Sequence, residues 1–465
     1  MLYSSTRGGI DAVPFKKAVM MGLARDGGLL LPESFPDVSE KLAAWSRLSY
    51  QDLAFEIISR YADDMPPEAL RDIINRSYAT FRDEAVTPVK KIGPVHILEL
   101  FHGPTLAFKD IALQFLGNLF EYILDETDDA LNIVVATSGD TGSAAIQGIR
   151  GRKHMRIFVL HPDGRVSPVQ EMQMTSVLDD NVFNIALEGT FDDAQAIVKE
   201  LFGDLEFKDQ YKLGAVNSIN WARVLAQVVY YFFAAFRVME QTGSKQVSFS
   251  VPTGNFGDVF AGYVAAMMGL PIDKLILATN ENDILSRFFS SGIYSKGSVV
   301  PTLSPSMDIQ IASNFERWLF LHAGRNAETL KAWMNEFAKT GTLKIPNAPG
   351  ASEPDPILRA GRAGSPETLA TIALFQSFYN YLLDPHTAVG VSAGLENVTD
   401  DIPMICLATA HPAKFPDAIE QATGHAELAT APEVEALKGL PTRKTKLPNS
   451  CKAIADFVAE RIPLP

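Results

Sequence analysis

Apolar positions recur at helical spacing across residues 49–61 and 67–81, which predicts two amphipathic helices in an N-terminal helical domain, residues 1–92, with few strand signals. From about residue 94 the pattern changes to short apolar runs separated by glycine-rich turns and helical stretches. Residues 95–98, 133–136, 156–160, 182–187, 247–251, 275–278 and 404–407 read as buried strands. Ile111, Phe115, Leu119 and Ile123 repeat every four residues, with Ala112, Leu116, Phe120 and Leu124 as the adjacent row, so this helix carries a wide apolar face. Further helices are predicted over 143–149, 168–177, 192–202 and 219–239. Strands alternating with helices imply an α/β fold of mostly parallel sheets flanked by helices. Ligands of such sheets collect at the carboxyl ends of strands. Beyond the N-terminal domain the chain divides on this reading into regions 93–245 and 246–465, with a ligand cleft between them. Residues 290–365, with Gly and Pro clustered at 345–356, read as insertions on the core.

Composition narrows the class. The 465 residues, 47% hydrophobic and 21% charged, suffice for a large core. The net charge is −14 and no Lys/Arg-rich run is present, so nucleic acid and anionic membranes are poor partners. Any phosphate site has to be built largely from backbone donors. Cys406 and Cys451 stand in no CxxC pair or Cys/His cluster, so neither a disulfide framework nor a metal centre is expected. The first residues lack the charged-then-apolar pattern of a signal peptide. The most apolar stretch, 224–236, is interrupted by Gln227 and is too short to span a bilayer. The expectation is a soluble cytoplasmic protein with a buried helix there, its oligomeric state, monomer or dimer, left open.

The candidate chemistry begins at Lys109, in Leu100-Phe-His-Gly-Pro-Thr-Leu-Ala-Phe-Lys-Asp110. It follows a Gly-Pro turn, is flanked by Phe108 and Asp110, and starts the apolar helix. A helix N-terminus and apolar neighbours both disfavour an ammonium, which makes this amine more readily neutral and nucleophilic. A lysine at a helix start is by itself more often a solvated charge, but two glycine-rich segments change the balance. Thr253-Gly-Asn-Phe-Gly257 joins an apolar strand to an apolar helix, where consecutive N–H groups and the helix dipole cup a phosphate. The alternative is an ordinary strand-to-helix turn. The segment has neither the Gly-Lys-Ser/Thr ending of an ATP-binding loop nor GxGxxG. Thr137-Ser-Gly-Asp-Thr-Gly142 has the same setting and more hydroxyls, which suits a carboxylate or a second phosphate; Asp140 either joins that loop's work or caps the helix. Thr409 ends the last strand and offers its hydroxyl to a ring nitrogen or to backbone. His411 and Lys414 bind an anion or are structural. A reactive lysine, a phosphate cup without Mg²⁺ ligands and a second anion loop together fit pyridoxal phosphate and an amino-acid substrate.

Five segments then carry a specific resemblance: Phe101-His-Gly-Pro-Thr-Leu-Ala-Phe-Lys-Asp110, Ala136-Thr-Ser-Gly-Asp-Thr-Gly142, Gly214-Ala-Val-Asn-Ser-Ile-Asn-Trp-Ala-Arg223, Pro252-Thr-Gly-Asn-Phe-Gly-Asp258 and Ala408-Thr-Ala-His-Pro-Ala-Lys414. With the opening Tyr3-Ser-Ser-Thr-Arg7 they resemble, in family order and over most of the chain, the threonine synthase family in its longer bacterial and fungal form. The resemblance implies the tryptophan-synthase-β-like fold of pyridoxal phosphate enzymes, fold type II. It implies that Lys109 forms the Schiff base and that Gly254, Asn255, Phe256, Gly257 and Asp258 hold the cofactor phosphate. Thr409 would face the pyridine nitrogen, and Ser138, Gly139, Asp140 and Thr141 would meet the substrate carboxylate. Asn217, Ser218, Asn220 and Arg223 would hold the substrate phosphate, the alternative being helix capping and a helix-surface charge. The reaction implied is O-phospho-L-homoserine plus water to L-threonine plus phosphate, the last step of threonine biosynthesis. Lys109 would move protons at the α and β carbons, under a small domain that closes over the substrate. The rivals are a serine/threonine dehydratase or β-replacement synthase of the same fold, or a catalytically silent binder of pyridoxal phosphate. The Gly103-Pro-Thr105 approach and the 217–223 segment favour threonine synthase.

Overall fold

The structure, a computed structural model, describes residues 1–345 and 355–462. Of the Gly and Pro cluster at 345–356, residues 346–354 lie outside the described residues. The apolar runs form two sheets. One has six strands in the order Leu358–Arg362, Ile272–Thr279, Val247–Pro252, Met404–Ala408, Val95–Glu99, Val89–Ile92, with every pair parallel except the last. The other has five parallel strands in the order Thr445–Pro448, Val182–Glu188, Met155–Pro162, Leu131–Ala136, Leu213–Gly214. The inner strands are buried along almost their whole length, as parallel strands covered by helices must be.

Each sheet draws strands from both sides of residue 245. Val95–Glu99 joins the sheet of the later strands, and Thr445–Pro448 joins the sheet of the earlier ones. The boundary expected at 245 is therefore not a boundary between sheets. The N-terminal region also carries more than helices. Leu2–Ser5 pairs antiparallel with Val13–Pro14 and Leu30–Pro32 before the helices Tyr50–Ile58 and Pro67–Tyr78. The segment 290–365 contributes an antiparallel pair, Ile293–Ser295 with Thr342–Lys344, a 3₁₀ turn at Pro305–Met307, and helices Phe315–His322 and Ala327–Thr340.

Five helices position the site: α1 (Lys109–Thr127), α2 (Asp140–Ile149), α3 (Trp221–Thr242), α4 (Gly257–Met267) and α5 (Pro385–Leu395). Both apolar rows of α1 are buried. Its start is tied to the Gly-Pro turn by Asp110, whose carboxylate accepts from the Thr105 N–H at 2.8 Å and the Thr105 hydroxyl at 2.7 Å. Helix α3 packs on α1, on α4 and on Tyr50–Ile58. It is longer than the apolar stretch 224–236 and is long and apolar enough to cross a membrane, yet 89% of its apolar window is buried inside the protein. That burial is the mark of a core helix.

Candidate active site

Backbone pairing brings the predicted loops together. Because Val95–Glu99 and Met404–Ala408 are neighbours, the loops that follow them run side by side. The Phe108 N–H donates to the Thr409 carbonyl at 2.8 Å, and the His411 N–H to the Leu106 carbonyl at 3.0 Å. Lys109 is thereby set beside Thr409 as the first residue of α1. The strand Leu131–Ala136 of the other sheet delivers Thr137–Gly139 and Asp140, and Val247–Pro252 delivers the 253–256 turn and α4.

The Lys109 Nζ lies 3.4 Å from Asp140 Oδ2 and 3.3 Å from Ser306 Oγ. Burial pushes its amine below the usual lysine range; Asp140 opposes this, while Lys414 and Arg223 add to it. Asp140 is equally buried. Burial alone would raise its carboxyl, but Lys414 and Lys109 more than reverse this and hold it well below the usual carboxylate range. Its Oδ1 receives Lys414 Nζ at 2.7 Å and Gln170 Nε2 at 2.7 Å, and its Oδ2 receives the Ser306 hydroxyl at 3.1 Å. An ionised carboxylate so engaged repels a substrate carboxylate, so the Asp140 side chain is the counter-ion of the two lysines and not a side-chain cap, and any part in the expected carboxylate loop falls to its backbone. Gly139 (φ 140°) permits this arrangement, since a Cβ there would collide with the Gln170 amide. The Thr137 hydroxyl accepts from the N–H groups of Gly139 and Gly142, both at 2.9 Å. Ser138 stands exposed at the tip of the loop, with Thr141 half-buried near it.

At the turn expected to cup a phosphate the backbone is strained. Phe256 has φ 64°, unusual for a bulky residue. Its ring is held among Phe260, Phe289 and Phe315. A Cβ on Gly254 would stand 2.9 Å from the Ser306 carbonyl, so only glycine lets the turn at 305–307 lie on the cup. The Asn255 carbonyl accepts from the Asn314 N–H at 3.0 Å and from Asn314 Nδ2 at 3.1 Å, which leaves N–H groups of the cup, rather than carbonyls, for an anion. Asp258 departs from expectation. Its Oδ1 accepts from the Tyr230 and Tyr231 hydroxyls at 2.5 and 2.8 Å, and burial pushes its carboxyl up to about 6. The side chain faces α3, and only its backbone can serve the cup.

In the 217–223 segment, Asn220 is also structural. It is fully buried, accepts from the Ala222 N–H at 3.0 Å as the cap of α3, and donates to the Val19 carbonyl at 2.9 Å. Asn217 is exposed. Ser218 Oγ lies 3.4 Å from both Ser313 Oγ and Asn314 Nδ2, beside the cup. Arg223 is buried, so it is no surface charge. Its Nη1 donates to the Val216 carbonyl at 2.9 Å, its Nε is buried without a partner among the described residues, and burial pushes it down to about 10. A buried guanidinium with an open donor is the group an anion would complete. Thr409 is buried with its N–H given to Thr387 Oγ1 at 3.2 Å and its carbonyl engaged by Phe108, which leaves the hydroxyl for a ligand. His411 is structural: its Nδ1 accepts from the Ala413 N–H at 3.2 Å, and burial pushes the ring down to about 4.

Sequence profiles agree with this geometry. Residues 2–78 match "Threonine synthase N terminus", 84–344 "Pyridoxal-phosphate dependent enzyme" and 387–458 "Threonine synthase, C-terminal". The chain is 47% identical to the threonine synthase of Saccharomyces cerevisiae, over 99% of this chain and 97% of that protein. It belongs to the threonine synthase family. The threonine synthase of Pseudomonas aeruginosa is 45% identical, covering 99% of this chain and 98% of its own. The crystal structure of the threonine synthase of Brucella melitensis with pyridoxal phosphate bound superposes with a TM-score of 0.95 at 46% identity, covering 99% of each chain. The yeast threonine synthase structure gives 0.93 at 44% identity, covering 99% and 98%.

The residues present fit the family's cofactor: a buried low-pKa amine, a glycine cradle that no Cβ would enter, and a hydroxyl at a strand end. Sequence reading missed other residues that the fold brings to this site: Ser306, Asn314, Gln170, Asp384 and His386. Asp384-Pro385 does carry a helix-start signal, with the carboxylate capping α5. Nothing local says that the next residue, His386, reaches Ser306.

Proposed function

We propose that this cleft converts O-phospho-L-homoserine and water to L-threonine and phosphate, with Lys109 as its working base. The observation that carries the assignment is the Lys109 amine, buried at the meeting of three strand-end loops and lowered below the usual lysine range. Pyridoxal phosphate, when bound, supplies an electron sink for carbanions formed next to the substrate nitrogen. Lys109 would hold it through its amine, the backbone N–H groups of Gly254–Asp258 and the start of α4 would hold its phosphate, and the Thr409 hydroxyl would face its ring nitrogen. The Lys109 amine takes and returns protons at the α and β carbons, which a buried, readily neutral amine does better than a solvated one. Ser138 and Thr141 receive the substrate carboxylate, on a loop shaped by Gly139, whose N–H is held by the Thr137 hydroxyl. Arg223, with Ser218 and Asn217, receives the substrate phosphate and orients it for departure. Asp140, fixed by Lys414 and Gln170, keeps a negative charge opposite the lysine as its protonation changes. The setting is cytoplasmic.

Purified protein is expected to release phosphate from O-phospho-L-homoserine with an equal amount of threonine. Ammonia released from serine, without phosphate release, would instead identify a dehydratase. Lys109→Ala is expected to lose the visible absorption of the lysine-bound cofactor and at least about a thousandfold in turnover. A Lys109→Ala protein that made threonine at the normal rate would refute the assignment.

A further inference from the structure

We propose that Ser306 is a further catalytic residue of this cleft, and that Asp384 and His386 are the positioning residues that hold it against Lys109. The inference rests on the assignment of Lys109 above. Ser306 sits in the Pro305–Met307 turn of the segment 290–365, far in sequence from the loops that announce the site. Its hydroxyl stands between two groups of opposite character, Lys109 Nζ at 3.3 Å and Asp140 Oδ2 at 3.1 Å. A carboxylate held ionised only accepts, so the Ser306 proton is given to Asp140. The Ser306 oxygen then accepts from the Lys109 amine. An amine with one N–H committed in this way has its lone pair aimed, and no proton changes owner in the process.

The serine is held from behind. Its N–H donates to His386 Nε2 at 3.2 Å. His386 Nδ1 lies 2.9 Å from Asp384 Oδ1. The ring is therefore set with its proton on Nδ1 and its Nε2 as acceptor, because a carboxylate faces one nitrogen and an N–H faces the other. Asp384 is buried at the cap of α5, where it also accepts from the N–H groups of His386 and Thr387 at 2.9 and 3.3 Å and from the Thr387 hydroxyl. That hydroxyl in turn accepts from the Thr409 N–H at 3.2 Å. One buried carboxylate thus steers two arms: through His386 it sets the serine facing the lysine, and through Thr387 it sets the strand end that carries Thr409. The turn itself is pinned by Asn280 Nδ2, 2.9 Å from Ser304 Oγ and 2.8 Å from Asp308 Oδ1. It lies directly on the cup at Gly254.

The test compares Ser306→Ala, Ser306→Thr, His386→Phe and His386→Gln as cofactor-loaded proteins. Two readouts are taken: kcat and KM for O-phospho-L-homoserine, and the rate at which stripped protein regains the visible absorption of the lysine-bound cofactor when pyridoxal phosphate is added. Ser306→Ala is expected to lose about tenfold to a hundredfold in kcat, the kinetic equivalent of one hydrogen bond to a charged group. Its KM should stay within about threefold, since the serine touches the amine and not the substrate's ends. Cofactor attachment should slow by a similar factor. Ser306→Thr keeps the hydroxyl and should recover most of both rates. His386→Phe should copy Ser306→Ala, and His386→Gln, whose amide oxygen still accepts the Ser306 N–H, should recover part of the loss. If Ser306→Ala does not fold, the two His386 variants read the same quantities. The proposal is overturned if Ser306→Ala, or His386→Phe in its place, keeps kcat and attachment rate within about twofold of wild type. It is also overturned if Ser306→Thr is as impaired as Ser306→Ala. Either result leaves the Lys109 assignment standing, because that is tested separately by Lys109→Ala.

Discussion

Arg223 sits in the protein with a buried Nε that no described residue accepts from. A donor left in that condition costs free energy until an acceptor arrives, and burial has already pushed the guanidinium down to about 10. Arg223→Gln should therefore raise KM for O-phospho-L-homoserine about tenfold to a hundredfold, from a loss of about 1.5–3 kcal/mol of charge-assisted hydrogen bonding. The melting temperature should change little, and an unchanged KM would remove Arg223 from the phosphate site. The placement of single residues was legible in the sequence where it follows from a local backbone setting. Lys109 at a helix start, Gly254 between strand and helix, and Thr409 at a strand end are of this kind. Asp140, Asp258 and Asn220 were not, because the side chain of a residue at or beside a helix start can turn towards the ligand or towards the core. What decides is the packing partner: Lys414 for Asp140, Tyr230 and Tyr231 for Asp258, and the Val19 carbonyl for Asn220.

At the level of elements, the first turn of α4 couples the cup to α3. Asp258 carries its carboxyl into that contact, hydrogen-bonded to two tyrosines through Oδ1, while Oδ2 is buried without a partner among the described residues. The carboxyl titrates near its ordinary 3.8 in the unfolded chain and near 6 in the fold. The folded state therefore holds the proton more tightly. Its stabilising contribution is complete below pH 3.8 and is lost as pH rises through about 6. A shift of about two units corresponds to about 3 kcal/mol. Relative to Asp258→Asn, which does not titrate, wild type should lose urea resistance across this window. A difference between the two proteins that stayed constant from about pH 4 to about pH 7 would show that the carboxyl is not so perturbed. The elements that were predicted were well placed: α1, α3 and the seven expected strands lie within a few residues of their predicted spans, because their apolar runs are clean, whereas the sheet strands at 89–92, 213–214, 358–362 and 445–448 went unread. The elements of the segment 290–365 went unread too, since short helices and turns without a dominant period report little about where they pack. That segment nevertheless supplies Ser306, Ser313 and Asn314 to the site.

In the molecule as a whole, the cup is anchored to distant parts of the chain by one fully buried arginine. Arg317 donates to the Leu30 carbonyl from Nε and Nη2 at 3.2 and 2.9 Å, to the Ile219 carbonyl at 2.5 Å, and to the side chain of Asn314, which itself holds the Asn255 carbonyl. The N-terminal sheet, the cap region of α3 and the cup thus share a single guanidinium. Arg317→Leu should destabilise by about 3–5 kcal/mol, because the carbonyls it leaves are buried and unpaired. The melting temperature should fall by several degrees and pyridoxal phosphate should dissociate faster. Equal retention of cofactor by variant and wild type would show that the N-terminal anchor does not support the cup.

The pairing of Val95–Glu99 with Met404–Ala408 also bears on how the protein is made. A ribosome releases Lys109 and its helix long before the strand that must lie beside them, and until then the Val95–Glu99 edge stays open to other chains. Thr445–Pro448 closes the second sheet later still. A nascent chain halted near residue 400 should carry the reactive lysine yet acquire no cofactor, and should depend on chaperones to remain soluble. Competence would then arrive abruptly, once the strands Met404–Ala408 and Thr445–Pro448 have both been made.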